Sequence, residues 1–223
     1  SDRLRMRFPK CHRAAGRVQV ATIVLLVAPS GFWMAWYAAP GPIAAVPAGG
    51  WGLVERRRAG DPGGWFERML CGEELGDALG GRRIVQINRT FTRESGAVRG
   101  MHSQSPPHAE LKVVSCLRGE VFDVAVDLRR GSPTFLRWHG EILSGENGRS
   151  FIIPEGFAHG FQTLSEDCEM LYLHTAAYEP SAEFRVHPRD PRLGIEWPRG
   201  ISMMSEKDSG CPMLPESFEG VAL

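Results

Sequence analysis

From Glu120 to Thr175 the sequence runs in short alternating stretches parted by turn-forming residues, and this rhythm restricts the fold more than any other feature. In Glu120 to Asp127 (EVFDVAVD), Phe122, Val124 and Val126 fall on one face of an extended strand, with Asp123 and Asp127 on the other. Arg130-Gly131-Ser132-Pro133 and Gly145-Glu146-Asn147-Gly148 have turn chemistry, and Thr134 to Trp138 between them is expected to be a strand. Ser150 to Ile153 and Glu169 to Thr175 (EMLYLHT) continue the pattern. Short strands at this spacing predict an all-β sandwich or barrel of the jelly-roll kind. No helical pattern separates them, which argues against a parallel α/β fold.

Upstream the pattern is mixed. Gly52 to Arg57 and Arg83 to Asn88 (RIVQIN) read as strands, and Asp61-Pro62-Gly63-Gly64 as a turn. Trp65 to Leu79 carries Phe66, Leu70, Leu75 and Leu79 at spacings of four or five, which predicts a helix. Residues 1–50 differ from the globular stretch 51–223. Arg3, Arg5, Arg7, Lys10, Arg13 and Arg17 precede an apolar run, Val18 to Ala39, whose length is close to the roughly 20 residues that span a bilayer. Pro29-Ser30-Gly31 interrupts it. A membrane anchor, a signal peptide cleaved near Ala48 and an added upstream extension are the three readings of this segment. Membrane contact is expected only for the first.

The formal net charge is zero, so bulk nucleic-acid binding is not expected and an anionic ligand must be held by local arginines and lysines. Cys11, Cys71, Cys116, Cys168 and Cys211 are scattered without a CxxC pair, as in a protein with reduced thiols. Chemistry concentrates in Val98 to Cys116 (VRGMHSQSPPHAELKVVSC), which holds Arg99, His102, His108, Glu110 and Lys112. A histidine that titrates near neutrality, beside a lysine and an arginine, suits proton transfer at a carbon acid in an anionic substrate. It also suits a metal site.

Gly148 to His159 (GRSFIIPEGFAH) fits G-x5-P-x-G-x2-H and resembles the second motif of the cupin superfamily of small β-barrels. The companion motif of metal-binding cupins has an H-x-H pair, which this chain lacks, so no metal is expected. Longer blocks narrow the resemblance. VRGMH at 98–102, GEVFDVAVDLRRGSPTF at 119–135, IPEGFAHGF at 153–161, DPRLGIEWP at 190–198 and ISMMSEKDSGCPML at 201–214 are similar to the dTDP-4-dehydrorhamnose 3,5-epimerase family.

That resemblance implies a cofactor-independent isomerase acting on a nucleotide-diphosphate 4-keto-6-deoxy sugar, as in dTDP-rhamnose biosynthesis. The protons on C3 and C5 of such a sugar are acidic because their removal gives an enolate conjugated with the C4 ketone. Epimerisation needs a base, an acid on the opposite face and a cation for the enolate oxygen. The resemblance places the base at His102, its aspartate partner at Asp190 and the proton donor at Tyr172, with Lys112 stabilising the enolate. Asp190 also precedes a proline, as turn aspartates do. Gln86, Asn88, Arg99, His159 and Glu183 correspond to substrate-contacting positions, and Arg99 suits phosphate oxygens. His108 and Glu110 are expected to lie outside the chemistry.

Departures from the family pattern accompany the matches. Gly63 stands where an arginine is usual, and Arg68 where a glutamate is usual; Arg68 is expected to supply the missing charge to the nucleotide. Ser103 replaces an aromatic, and Leu173 and Ala177 replace a lysine and a tyrosine. The family further implies a homodimer with strand exchange near the N-terminus. A metal-dependent cupin enzyme and a non-catalytic sugar-binding cupin are the alternatives.

Overall fold

The computed structural model describes residues 50–223; the apolar run Val18 to Ala39 and its basic flank lie outside the described residues. Among the described residues no helix is long and apolar enough to cross a membrane. The strands are β1 (Gly52–Glu55), β2 (Arg58–Asp61), β3 (Gly64–Glu67), β4 (Gln86–Thr92), β5 (Ala97–Gln104), β6 (Lys112–Arg118), β7 (Glu120–Asp127), β8 (Trp138–Ser144), β9 (Arg149–Ile153), β10 (Phe157–Thr163), β11 (Cys168–His174), β12 (Glu183–Arg185) and β13 (Met203–Met204). One helical turn, α1 (Gly76–Leu79), precedes β4, and another, α2 (Glu206–Ser209), follows β13.

Two antiparallel sheets make the body, in the orders β1-β9-β6-β11-β4 and β12-β5-β10-β7-β8, with β13 added parallel to β5. Their inner faces share one apolar core, to which the first sheet gives Val114, Phe151 and Met170 and the second Val121, Ala125 and Phe161. Each of these side chains larger than alanine contributes about 1.5–3 kcal/mol of transfer free energy. The result is the jelly-roll body that the strand rhythm predicts.

Both outer faces are also covered, over part of their extent. Leu75 and Leu79 lie over Val113, Ile152 and Leu173 of the first sheet. The C-terminal segment lays Leu193, Trp197 and Leu214 over Val124, Val126 and Ala158 of the second. This inverts a simple reading of β7. Its apolar face, Phe122, Val124 and Val126, points outward under the C-terminal segment, and its carboxylate face lines the barrel. A strand buried on both sides need not point its most apolar face inward.

Two sequence expectations fail for local reasons. Trp65 to Leu79 is not a helix: Asp61 Oδ1 accepts the Gly63 amide at 2.8 Å, folding a hairpin that carries Trp65 and Phe66 into β3. Only Gly76–Leu79 is helical. Thr134 to Trp138 is a folded turn up to β8, because the Asp127 carboxylate accepts the hydroxyls of Ser132 and Thr134 and the guanidinium of Arg129. These hydrogen bonds hold the carboxyl below the usual aspartate range against the opposing effect of burial.

Candidate active site

One irregularity in the second sheet sets the geometry of the site. In β10 against β5, His159 pairs with His102 and Phe161 with Arg99, so one residue spans the interval on β10 that two span on β5. In a regular strand Arg99 and His102, three apart, would point to opposite faces. The bulge places both opposite β10 residues that share a face. Glycine makes this possible: Gly100 has φ +111°, and a Cβ there would lie 2.6 Å from the Gly160 Cα.

The first sheet supplies the facing wall in cross-strand rows. Cys116, Met170 and Thr90 form one row across β6, β11 and β4; Val114, Tyr172 and Asn88 form the next; Lys112, His174 and Gln86 form the row at the end. Polarity rises along these rows. The barrel is apolar inside and becomes polar at its mouth, where a cavity of about 300 Å³ opens. Its lining includes Gln86, Asn88, His102, Lys112 and Glu183, five of the residues singled out from the sequence, together with Ser103.

Deeper in, the rings of His102 and His159 lie 6.0 Å apart, as do those of His159 and Tyr172. The order His102, His159, Tyr172 therefore runs from one sheet to the other. His159 is 1 % exposed, and its Nε2 lies 2.9 and 3.0 Å from the two oxygens of Asp123. Burial raises the Asp123 carboxyl above its ordinary value, and His159 offsets part of that effect. The Tyr172 hydroxyl is 3.2 Å from Thr90 Oγ1, and burial pushes its ionisation above the ordinary phenol value, so the phenol stays protonated.

His102 keeps a partly exposed face toward the cavity. Desolvation by the surrounding protein lowers its pKa well below 6.5, and Lys112, then His159, Arg185 and His174 push the same way. The imidazole is thereby kept in its proton-accepting form at neutral pH. Arg99 has no ion-pair or hydrogen-bond partner among the described residues.

Two expected site residues are placed differently. The Asp190 oxygens accept the backbone amides of Arg192 and Leu214, and no hydrogen bond or ion pair joins Asp190 to His102. It ties the C-terminal segment down, as its place before Pro191 suggests. One carboxylate a single link from His102 is Asp208, which takes Arg185 Nη1 at 2.7 Å; Arg185 is the cross-strand neighbour of His102. Arg185 is also held by Glu183 at 2.8 and 3.0 Å. Arg68 pairs with Glu74 at the surface at 2.8 Å and is not among the lining residues of this cavity.

Glu110, expected outside the chemistry, lines the cavity with Gln104, His174 and Tyr178. Its Oε1 takes Lys112 Nζ at 3.0 Å and its Oε2 lies 2.7 Å from His174 Nδ1. Burial favours the neutral carboxyl, but His174 and Lys112 outweigh it and leave the pKa lowered. Alternation along β11 already puts His174 on the face of Tyr172, and Glu110 lies two residues before Lys112, so both were open to inference from spacing. Among the described residues, no group of three or more His, Cys, Asp or Glu is placed to hold a metal ion.

Comparison with known proteins agrees with this architecture. The family model described as dTDP-4-dehydrorhamnose 3,5-epimerase matches residues 47–216. A Salmonella typhimurium dTDP-4-dehydrorhamnose 3,5-epimerase is 43 % identical over 169 residues, covering 74 % of this chain and 91 % of that protein. A Streptomyces niveus dTDP-4-dehydrorhamnose 3-epimerase is 38 % identical over 173 residues, covering 76 % and 81 %. The crystal structure of a Legionella pneumophila dTDP-6-deoxy-D-glucose-3,5-epimerase, in complex with dTDP-4-keto-L-rhamnose, superposes with a TM-score of 0.72 at 42 % identity, covering 78 % of this chain and 92 % of that one. A matched family model across most of the described residues, together with relatives of this identity and coverage, makes the chain a member of the dTDP-4-dehydrorhamnose 3,5-epimerase family of isomerases.

Proposed function

We propose that this protein epimerises a dTDP-linked 4-keto-6-deoxy sugar at C3, C5 or both, by proton transfer through an enolate, in deoxysugar biosynthesis in the cytoplasm. The observation that carries the reading is the pairing of a neutral imidazole and a protonated phenol on opposite walls, His102 on the second sheet and Tyr172 on the first. His102 removes the proton, Lys112 and neighbouring donors stabilise the enolate oxygen, and Tyr172 returns a proton on the other face. Arg99, whose guanidinium has no ion pair or hydrogen bond among the described residues, is the group for a phosphate oxygen.

The test is solvent-deuterium incorporation into dTDP-4-keto-6-deoxyglucose, followed carbon by carbon by NMR. Deuterium at C3, at C5 or at both supports the reading and reports the carbon specificity; no incorporation with any nucleotide 4-keto sugar overturns it. Tyr172→Phe separates the two half-reactions. With the base intact and the donor gone, it should retain C–H exchange while inversion falls by roughly a hundredfold or more. Equal loss of both would assign Tyr172 a packing role.

The assembly proposed is a homodimer. Strand β4 ends the first sheet; its outer face exposes Ile87 (63 % exposed) and Phe91, and Val85 just before it is exposed as well. An edge strand with an apolar outer face is a template for a second chain. Light scattering should give twice the chain mass, and Ile87→Lys with Phe91→Glu should shift it to the monomer; a monomeric unsubstituted protein at micromolar concentration overturns the assignment.

A further inference from the structure

The polar wall of the cavity is joined by hydrogen bonds whose direction can be read from one end. The Tyr178 backbone N–H can only donate, and Gln86 Oε1 accepts it at 3.0 Å. Gln86 therefore turns its Nε2 to Asn88 Oδ1, 3.2 Å away. Asn88 in turn offers its Nδ2 to His174 Nε2 at 3.3 Å, so Nε2 accepts and the ring proton lies on Nδ1. That proton is donated to Glu110 Oε2 at 2.7 Å, and Glu110 Oε1 accepts Lys112 Nζ at 3.0 Å. Lys112, Glu110 and His174 are all buried, with Lys112 only 2 % exposed, so a broken link leaves an unpaired polar group at real cost.

The consequence is a wall with one polarity. Gln86 and Asn88 each spend their carbonyl oxygen within the chain of hydrogen bonds and retain an N–H, and Lys112 retains further N–H groups. Glu110, the acceptor in the chain, has both oxygens engaged. We propose that Glu110 and His174 are positioning residues that hold this wall in its donor-only state, so that it selects an oxygen that accepts without donating: the sugar ketone over the corresponding alcohol. An alcohol there would offer its O–H to a wall whose acceptor oxygens are already engaged, whereas a ketone meets only free donors. The inference rests on the assignment of a 4-keto sugar as substrate and adds to it how the keto group is told from a hydroxyl.

Glu110→Gln reverses the chain. Its amide oxygen must take the Lys112 ammonium, since two donors cannot face each other, so its amide N–H faces His174 Nδ1. The ring proton then moves to Nε2, Asn88 turns its oxygen to that proton, and Gln86 and Asn88 are left in conflict. His174→Leu removes the link, whereas His174→Gln can accept from Asn88 with its oxygen and donate to Glu110 with its nitrogen. The measurement is the ratio of dissociation constants for dTDP-6-deoxyglucose and for the equilibrated epimers of dTDP-4-keto-6-deoxyglucose, with dTDP alone as the control.

The unsubstituted protein should favour the ketone. Glu110→Gln and His174→Leu should each lose roughly tenfold of that preference with dTDP binding unchanged, and His174→Gln should restore most of it. An unchanged ratio in His174→Leu, with dTDP still bound, overturns the inference, as does the absence of any preference in the unsubstituted protein. Solvent-deuterium exchange by the unsubstituted protein is measured alongside, so loss of the epimerase assignment is seen separately from loss of this one.

Discussion

His102→Asn is expected to lower epimerisation by roughly a hundred- to ten-thousandfold, the range for removing a positioned general base. Solvent deuterium should no longer enter the sugar at either carbon, because deprotonation precedes both enolate and inversion. Binding of dTDP should persist, since His102 lies beside the sugar-facing wall and the asparagine retains a polar group there. The size of the effect follows from the environment. Desolvation and the nearby Lys112 keep His102 neutral at pH 7, and the neighbouring imidazoles are committed to carboxylates. His159 has Nε2 engaged by the buried Asp123, and His174 is engaged at both nitrogens by Glu110 and Asn88. If His102→Asn retains exchange at C3 or C5, a different group is the base.

The proposed base and donor were legible as candidates in the sequence because they sit in blocks whose order and spacing survive folding: His102 in VRGMH and Tyr172 in an alternating run. The strand pattern also sufficed for a jelly roll. What it did not reveal depends on contacts between distant segments. Glu110 and His174 are 64 residues apart and meet only because β6 and β11 pair in register. Asp123 faces the barrel because a C-terminal segment covers the opposite side of β7. Asp190 was assigned from its block, yet its oxygens serve the backbone amides of Arg192 and Leu214, and Asp208 reaches the His102 side through Arg185. The failed helix at Trp65 to Leu79 has a different cause: an Asx turn of a few residues overrode an apolar spacing that alone favours a helix.

Lys112→Met should produce the other large loss and, unlike a merely structural change, should move the pH profile. An ammonium placed where enolate charge develops in a desolvated site is worth roughly a hundred- to a thousandfold in turnover, and Lys112 is the cation at the cavity wall beside His102. The same charge opposes protonation of His102. Because His102 acts in its neutral form, its lowered pKa keeps the acid limb of kcat/KM below pH 6.5 in the unsubstituted enzyme. Removing Lys112 withdraws part of that opposition, the His102 pKa rises, and the acid limb moves upward toward pH 6.5. Lys112→Arg retains the charge and should leave the limb near its original position, even where the altered geometry slows turnover. Stability should change in a matching direction. Glu110 is depressed in the folded protein, so its contribution is present above the ordinary glutamate pKa and is lost as pH falls through the folded value. Without Lys112 the carboxyl keeps only His174. Chemical denaturation should then show Lys112→Met less stable at neutral pH by about 1–3 kcal/mol, with the difference shrinking as the carboxyl is protonated. A Lys112→Met profile whose acid limb stays in place would show that Lys112 does not set the protonation of the base.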